Sequence, residues 1–485
     1  MFMMISRRHK VRVIIANIAM MVTTLLLAAV LVLVAMGYTL NSRLDIRQTG
    51  LVQFASRPSG ATVTVNGQTI FGRTSTRSNI APGENEFQIT RDGYDTWTKT
   101  TNVNAGHVLW LNYALLLPLD RQARSLTRFD KLDAISASPR GNLIVALPDA
   151  QLAGMRLLDI RSSQVRTTNL DFSSVLPEIG SSSNLRRSVS FADWNVDSNR
   201  LLAVKEYGDQ TDWILLDIRN PENSINLTTE FRLNFDTVKF ASNSGRSLWA
   251  LEDGNLRRIN IRNNSISSVL VSNVAQFNIP KRDVVLFTER PDGSGLVSIG
   301  VYQDGDRHPS ILYSSVLPDE GVIQVVGSRY FGKDYAIILE GNKLTVLKGD
   351  FPPFGRPVSS LVQIRELEID FIPETVSMSP SGRFVMAVSG NRVFSYDLET
   401  RRQNTFTLNG NFSDTEQLRW LDDFIIWTDK NDQLTIYDFD GNNKRDVKSV
   451  ATGFDVLLTS NNRFIYSITR DGDSYRLQQL NLIAR

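Results

Sequence analysis

Cysteine is absent from the 485 residues. Disulfides, thiolate metal sites and cysteine nucleophiles are therefore excluded together. Histidine is scarce: His9, His107 and His308 are the only three. That count disfavours histidine-ligated metals and histidine-based triads. A basic domain or stripe is lacking as well. The 53 bases and 51 acids leave +2, but Arg7, Arg8, Lys10 and Arg12 lie in a twelve-residue opening without an acid. Beyond Arg12, 49 bases face 51 acids, a balance that excludes the electrostatic footprint of a nucleic-acid binder. What remains, 42% hydrophobic and 21% charged, has the composition of folded protein, and its length suits two or three domains.

Val13–Tyr38 carries no charge, and Asn17, Thr23 and Thr24 are its polar interruptions. As a helix it would reach about 39 Å, against roughly 30 Å of bilayer hydrocarbon. Leu25–Val34 is apolar on every side, unlike a half-buried globular helix. The stretch exceeds the apolar region of a signal peptide, although Ala35 and Gly37 offer a small-x-small cleavage site. The basic residues before it place the N-terminus in the cytoplasm and the remainder outside. Cleaved or not, the chain reaches the same compartment. The expected order is a basic tail (1–12), a transmembrane helix (13–38) in the lipid bilayer, and a polar linker (39–49). Asn-x-Ser/Thr at Asn226, Asn263 and Asn411 is read as chance in a chain rich in both residues.

From residue 50 the pattern becomes short alternating runs divided by Gly, Pro and Asn. Leu51–Ala55 and Ala61–Val65 read as strands, and Asn66-Gly67 is a strong hairpin signal. Ala81-Pro82-Gly83 and Asp92-Gly93 are further turns, with Glu86–Thr90 between them carrying Phe87 and Ile89 on one face. Leu109, Leu111, Tyr113, Leu115 and Leu117 form a continuous apolar side, with Trp110 on the opposite face. Trp97 reads as sheet packing. Pro58-Ser59-Gly60-Ala61, Val63-x-Val65-x-Gly67, Gly72-x-Thr74, Pro82-Gly83, Gly93-Tyr94 and Gly106 together resemble the PEGA domain, over residues 50–118. Ser59 replaces the family's Glu, and Ser75 replaces its Pro. The resemblance implies a small β-sandwich common in surface and exported proteins of bacteria and archaea. It implies a spacer or interaction module and no chemistry.

Residues 119–485 show no sustained helical periodicity. A tag recurs instead, an Asp or Asn between apolar residues at a strand end: Asp159, Asp217, Asn260, Asp397, Asp438 and Asn481. The steps are 58, 43, 137, 41 and 43 residues, and the long one spans about three repeats. Leu296–Val301 and Lys343–Lys348 are the strands expected inside it. Eight repeats of about 46 residues predict an all-β propeller of eight blades, seven being the alternative. Ser138-Pro139-Arg140-Gly141 and Ser379-Pro380-Ser381-Gly382 open strands in two of them. This motif resembles WD40-like and TolB-type propeller repeats, although the Trp-Asp pair is missing. Closure of the ring is expected to use Leu126–Phe129 as the outer strand of the last blade.

Candidate chemistry is sparse. There is no phosphate loop, nucleophile elbow or zinc helix motif, so no catalytic, cofactor-binding or metal residue is assigned and no cofactor is expected. His107 and His308 read as exposed polar residues. Asp438, Asp440 and Asn442 alternate like calcium ligands, yet they lack the distal Glu and are read as a strand end with an Asp-Gly turn. Trp194, Trp213, Trp249, Trp420 and Trp427 read as blade packing, with the central funnel as the alternative for any one of them. The expectation is a single-pass, membrane-anchored extracytoplasmic scaffold holding an envelope protein or cell-wall polymer, with no nucleic acid. The alternative is an exported enzyme or carbohydrate-binding protein with its site in the propeller channel, for which paired carboxylates beside an exposed Trp would be the mark.

Overall fold

The computed structural model describes residues 7–35, 37–40, 46–149, 154–162, 164–175, 187–281, 283–317, 320–351, 360–410 and 418–484. Asn411 lies outside these residues. Two compact units form: one holds residues 1–120 with 483–485, the other Arg121–Leu482.

The N-terminal helix runs Arg7–Ala35, beginning inside the basic tail and stopping before Gly37, whose φ of +80° suits a helix stop. Its apolar span is Ile14–Leu33, twenty residues long and unburied. Thr23 and Thr24 donate their hydroxyls back to the carbonyls of Ala19 and Met20 at 2.8 Å, so neither leaves an unmet donor on the apolar surface. Two short strands lie within the stretch read as a linker. Tyr38–Leu40 pairs antiparallel with Ile46–Gln48. Strands of three residues are too short to show alternation in a sequence.

The small module is a sandwich. One sheet has the order Gln68–Arg73, Thr62–Val65, Gly83–Thr90, Trp97–Val103; the other has Thr76–Ile80, Gly50–Arg57, Val108–Leu115. Alternation places Val52, Phe54, Val63, Phe87, Ile89, Leu109 and Leu111 inside. Trp97 is fully buried, edge-on to Tyr113 with ring centroids 5.6 Å apart. Asn66-Gly67 makes the expected two-residue turn, both residues having positive φ. Two separated motif fragments meet at Thr74: its hydroxyl accepts from the Ala61 N–H at 2.9 Å and lies 2.6 Å from Ser56 Oγ. The Pro58–Ala61 turn is thereby stapled to the strand that follows Gly72.

The second unit contains eight four-stranded antiparallel sheets. The order within seven is sequential. The eighth is Ala123–Phe129, Ser474–Asn481, Phe464–Asp471, Leu457–Leu458, so the first strand of the unit completes the last blade. Register runs from Ala123↔Leu480 to Phe129↔Tyr475. The eight-blade count and the shared closing strand both stand. All six tag residues terminate the third strands of their blades, and Leu296–Gln303 and Lys343–Gly349 are the third strands of the two degenerate ones.

The tag has a mechanical reason. Asp159, Asp217, Asn260 and Asp397 each accept, on Oδ1, the N–H two residues on, at 2.9–3.1 Å, fixing the turn into the fourth strand. Arg200–Asp217, Arg383–Asp397 and Arg445–Asp438 pairs, at 3.3, 2.7 and 3.2 Å, add a charged clasp within three blades. The Ser-Pro-x-Gly turn also has a defined job: Ser138 and Ser379 hydroxyls accept from Leu143 and Phe384 at 3.1 Å. Asn195 and Thr459 do the same in the second and eighth blades, with Ser198 and Asn462 taking the left-handed position held elsewhere by glycine.

Blade faces bury each other. Phe129, Leu132, Ile144, Tyr466, Ile468 and Leu477 share one cluster that joins the first and last blades. Phe129 is 1% exposed. Phe129→Ala should lower the propeller's unfolding free energy by about 3–5 kcal/mol while sparing the small module. Denaturant melts followed by hydrogen exchange should show destabilisation confined to residues 121–482.

Candidate binding grooves on the propeller

Within each blade the first strand is innermost, and neighbouring first strands approach one another around the ring. Their channel-side edges are stitched together by side chains. Trp194 Nε1 donates to Ser136 Oγ at 2.9 Å, and Asp193 Oδ2 accepts from the Phe240 N–H at 3.5 Å. Lys239 Nζ then donates to Phe277 O at 3.0 Å, and Gln276 Nε2 to Ile323 O at 3.2 Å. Gln324 grips the next blade twice, donating to Glu374 O and accepting from the Val376 N–H. Trp420 Nε1 reaches Ser377 Oγ at 3.4 Å, and Arg419 pairs with Asp455 at 2.7 Å. Seven of the eight seams are crossed this way, and strand exchange closes the eighth.

These contacts bear on the channel reading. Trp194 and Trp420 lie on innermost strands but point into blade seams, each committed to a serine. Trp213, Trp249 and Trp427 are buried on second and third strands. Asp193 is held above the usual carboxylate range by burial, with Lys239 opposing the shift. Burial likewise pushes the Lys239 ammonium down, with Asp193 opposing. Asp455 is raised by burial and restrained by Arg419. Both carboxylates thus have a cation assigned to them.

The calcium-like Asp438, Asp440 and Asn442 form a turn. Asp438 accepts from Arg445 and from Asn443 Nδ2, while Asp440 accepts from the Asn442 backbone and side chain. Among the described residues, no group of three or more His, Asp or Glu side chains is arranged to hold a metal. His107 is exposed just before Val108–Leu115, its Nδ1 2.9 Å from Ala105 O, and His308 is exposed in its loop.

Strand alternation puts the first-to-second and third-to-fourth turns of every blade on one face of the ring. Two grooves open there. The first, about 410 Å³, lies between blades one and two and holds Arg140, Arg161, Arg166 and Arg219 against Asp159 and Asp197. Arg140 pairs with Asp197 at 2.6 Å, and Arg161 with Asp159, whose carboxyl that hydrogen bond holds below its ordinary range.

The second, about 650 Å³, lies between blades three and four. Ser242, Ser244, Ser247, Ser265 and Ser267 line it, with Asn260. Arg258 forms its base, bonded to Ser247 Oγ at 2.7 Å and Asp283 at 2.9 Å, paired with Asp304, and lying over the Trp249 ring at 5.3 Å. Arg246 and Arg262 are exposed in the same groove. Neither side chain has a hydrogen-bonding or ionic partner among the described residues. Ser242 Oγ is buried without a hydrogen bond, as is Trp249 Nε1 beneath Arg258. Unmet polar atoms thus gather around a groove with two uncommitted cations. Sequence reasoning missed this site because Arg246 and Arg262 come from two different turns, sixteen positions apart, in a chain with 53 bases.

On the opposite face, between the second and third strands of blade five, Glu340 is engaged by Tyr313 at 2.5 Å and by Ser315. Burial, together with that carboxylate, pushes the Tyr313 hydroxyl up to about 12.

One protein-family model and several solved structures match parts of the chain. The PEGA domain family matches residues 49–117. No curated protein sequence matches the chain. Among solved structures, the Dos1 propeller is 10% identical with a TM-score of 0.46, covering 75% of this chain and 96% of its own. An oligogalacturonate lyase in complex with manganese is 10% identical with a TM-score of 0.42, covering 75% and 98%. Porphyromonas gingivalis dipeptidyl peptidase 4 is 13% identical with a TM-score of 0.44, covering 71% of this chain and 56% of its own. At these identities the likeness extends to the fold alone.

Lys239→Met removes the cation that opposes the shift of Asp193 and the donor to Phe277 O. Destabilisation of about 1–3 kcal/mol is expected at pH 7. Asp193, already raised, would rise further, so its ionised form is what costs stability. The deficit should therefore shrink as pH falls through the folded-state pKa and the carboxyl becomes neutral. Urea midpoints of both proteins between pH 7 and 4 measure this; a deficit that grows on acidification would contradict it.

Proposed function

We propose that the chain is a membrane-anchored extracytoplasmic binding protein whose propeller holds an anionic polymer in the groove between blades three and four. The carrying observation is the groove itself: Arg246 and Arg262 are exposed and uncommitted in a lining that also holds Ser244, Ser265 and Asn260. Guanidinium groups bond phosphate or carboxylate oxygens through paired N–H donors, and serines match the hydroxyls of a sugar or polyol backbone. Arg258, locked by Asp283, Asp304 and Ser247, stiffens the base of the groove and leaves the two outer arginines to meet the ligand.

The anchor reading draws on the twenty-residue apolar span and the four basic residues before it, which favour a cytoplasmic N-terminus with the two folded units outside. A scaffold role fits this arrangement: one end held in lipid, the other presenting a ring with a charged, hydroxyl-lined groove. Propellers also host enzymes, and a channel active site is the competing reading. The commitment of Asp193 and Asp455 to neighbouring cations weighs toward binding.

The test uses the full chain in detergent, with polyglycerol phosphate as the anionic probe and dextran as the neutral one. The phosphate polymer should bind, more weakly as salt rises. Replacing both arginines, Arg246→Gln with Arg262→Gln, should cost about 1.5–3 kcal/mol, or roughly ten- to a hundredfold in affinity. Equal binding of the double variant, or equal binding of dextran, would refute the groove assignment.

A further inference from the structure

The segment between the helix end at Ala35 and the module's first strand at Gly50 would reach about 46 Å if its fourteen residues were extended. Instead it doubles back. Thr49 donates both its N–H and its hydroxyl to Gly37 O, at 2.9 and 2.7 Å, and closes the ladder of Tyr38–Leu40 on Ile46–Gln48. Thr49 O in turn accepts from the Gly106 N–H at 3.0 Å, which ties the same point to the loop before the module's last strand. The path from the helix end at Ala35 to the module is therefore only a few residues long, and Gly50, where the first sandwich strand starts, is held beside Gly37.

The sandwich carries an unusual surface at that end. On the outer face of its three-stranded sheet, Leu51 stands beside Val108, and Gln53 stands between Trp110 and Arg77. Val108 is 47% and Trp110 37% exposed, and among the described residues no other strand covers them. At about 3.3 Å per residue, these side chains lie within roughly 10 Å of the level of Gly50. The headgroup layer on each side of the hydrocarbon is about 5–8 Å thick. Tryptophan with aliphatic neighbours and an arginine is the combination that partitions into that layer: the indole is amphipathic, and the guanidinium meets lipid phosphates.

We infer that this face, formed by Leu51, Val108, Trp110 and Arg77, seats on the headgroups of the bilayer that the helix crosses. The inference rests on the helix being a membrane span. The small module is then a foot that sets the angle at which the chain leaves the membrane, rather than a loose spacer.

The missing cysteines make the test clean, because each introduced thiol is the sole labelling site. Val108→Cys, Phe71→Cys and Leu27→Cys are made in the full chain, spin-labelled and reconstituted in phosphatidylcholine vesicles containing phosphatidylglycerol. Phe71, fully exposed on an edge strand of the other sheet, is the aqueous reference. Collisions with a water-soluble nickel chelate and with oxygen are measured by electron paramagnetic resonance. The label at 108 should show a several-fold loss of nickel collisions relative to 71 and a gain in oxygen collisions, and Trp110→Ser with Arg77→Ser should reverse both. Equal nickel access at 108 and 71, with the label at 27 in hydrocarbon, overturns the seating and leaves the anchor intact. A label at 27 that meets nickel as freely as 71 removes the anchor and the seating together.

Discussion

Antiparallel pairing between Ala123–Phe129 and Ser474–Asn481 is the constraint on which the propeller depends. A blade cannot bury both faces by itself; a ring of blades can, but only if the last meets the first. Six register pairs join residues more than 340 positions apart, and the cluster around Phe129, Tyr466 and Leu477 seals them with apolar surface. No covalent staple is present, since the chain has no cysteine. Closure rests on a hydrogen-bonded ladder and the packing beneath it.

Around the ring, polar side chains do at the inner rim what leucines and valines do further out. The seams between innermost strands carry several devices: Trp194 to Ser136 and Trp420 to Ser377, Lys239 to Phe277, Gln324 to two backbone groups of the next blade. A propeller's inner strands have an edge without a strand partner, and leaving such groups unmet is costly in a narrow channel. The variety of solutions explains why the inner rim has no sequence motif. The selection is for satisfaction of a donor or acceptor, and several residue types supply it.

The architecture was largely legible because strand-end residues have fixed duties. Asp159, Asp217, Asn260 and Asp397 brace a turn through one carboxyl or amide oxygen, so the tag survives where the surrounding strand drifts. In blades four and five Gln303 and Gly349 occupy that register, and only spacing revealed them. Ser-Pro-x-Gly hid in blades two and eight because Asn195 with Ser198, and Thr459 with Asn462, fulfil the same geometry. Gln68–Arg73 escaped notice because its side chains face solvent almost throughout and show no alternation. The groove was illegible for another reason. Its serines and arginines are ordinary turn residues, and only the antiparallel pairing of the strands of blade three brings its two turns together, with Asp304 of blade four at the edge.

Sharing a blade between the chain's entry and exit also has a consequence under load. A pull applied to the ring through its N-terminal connection enters at Arg121 and is carried first by the strand Ala123–Phe129. Drawn along its length, that strand must shear its ladder as a unit rather than unzip one bond at a time. The joint that closes the ring is then also a mechanical fuse, and its rupture force would set the tension at which the ring opens.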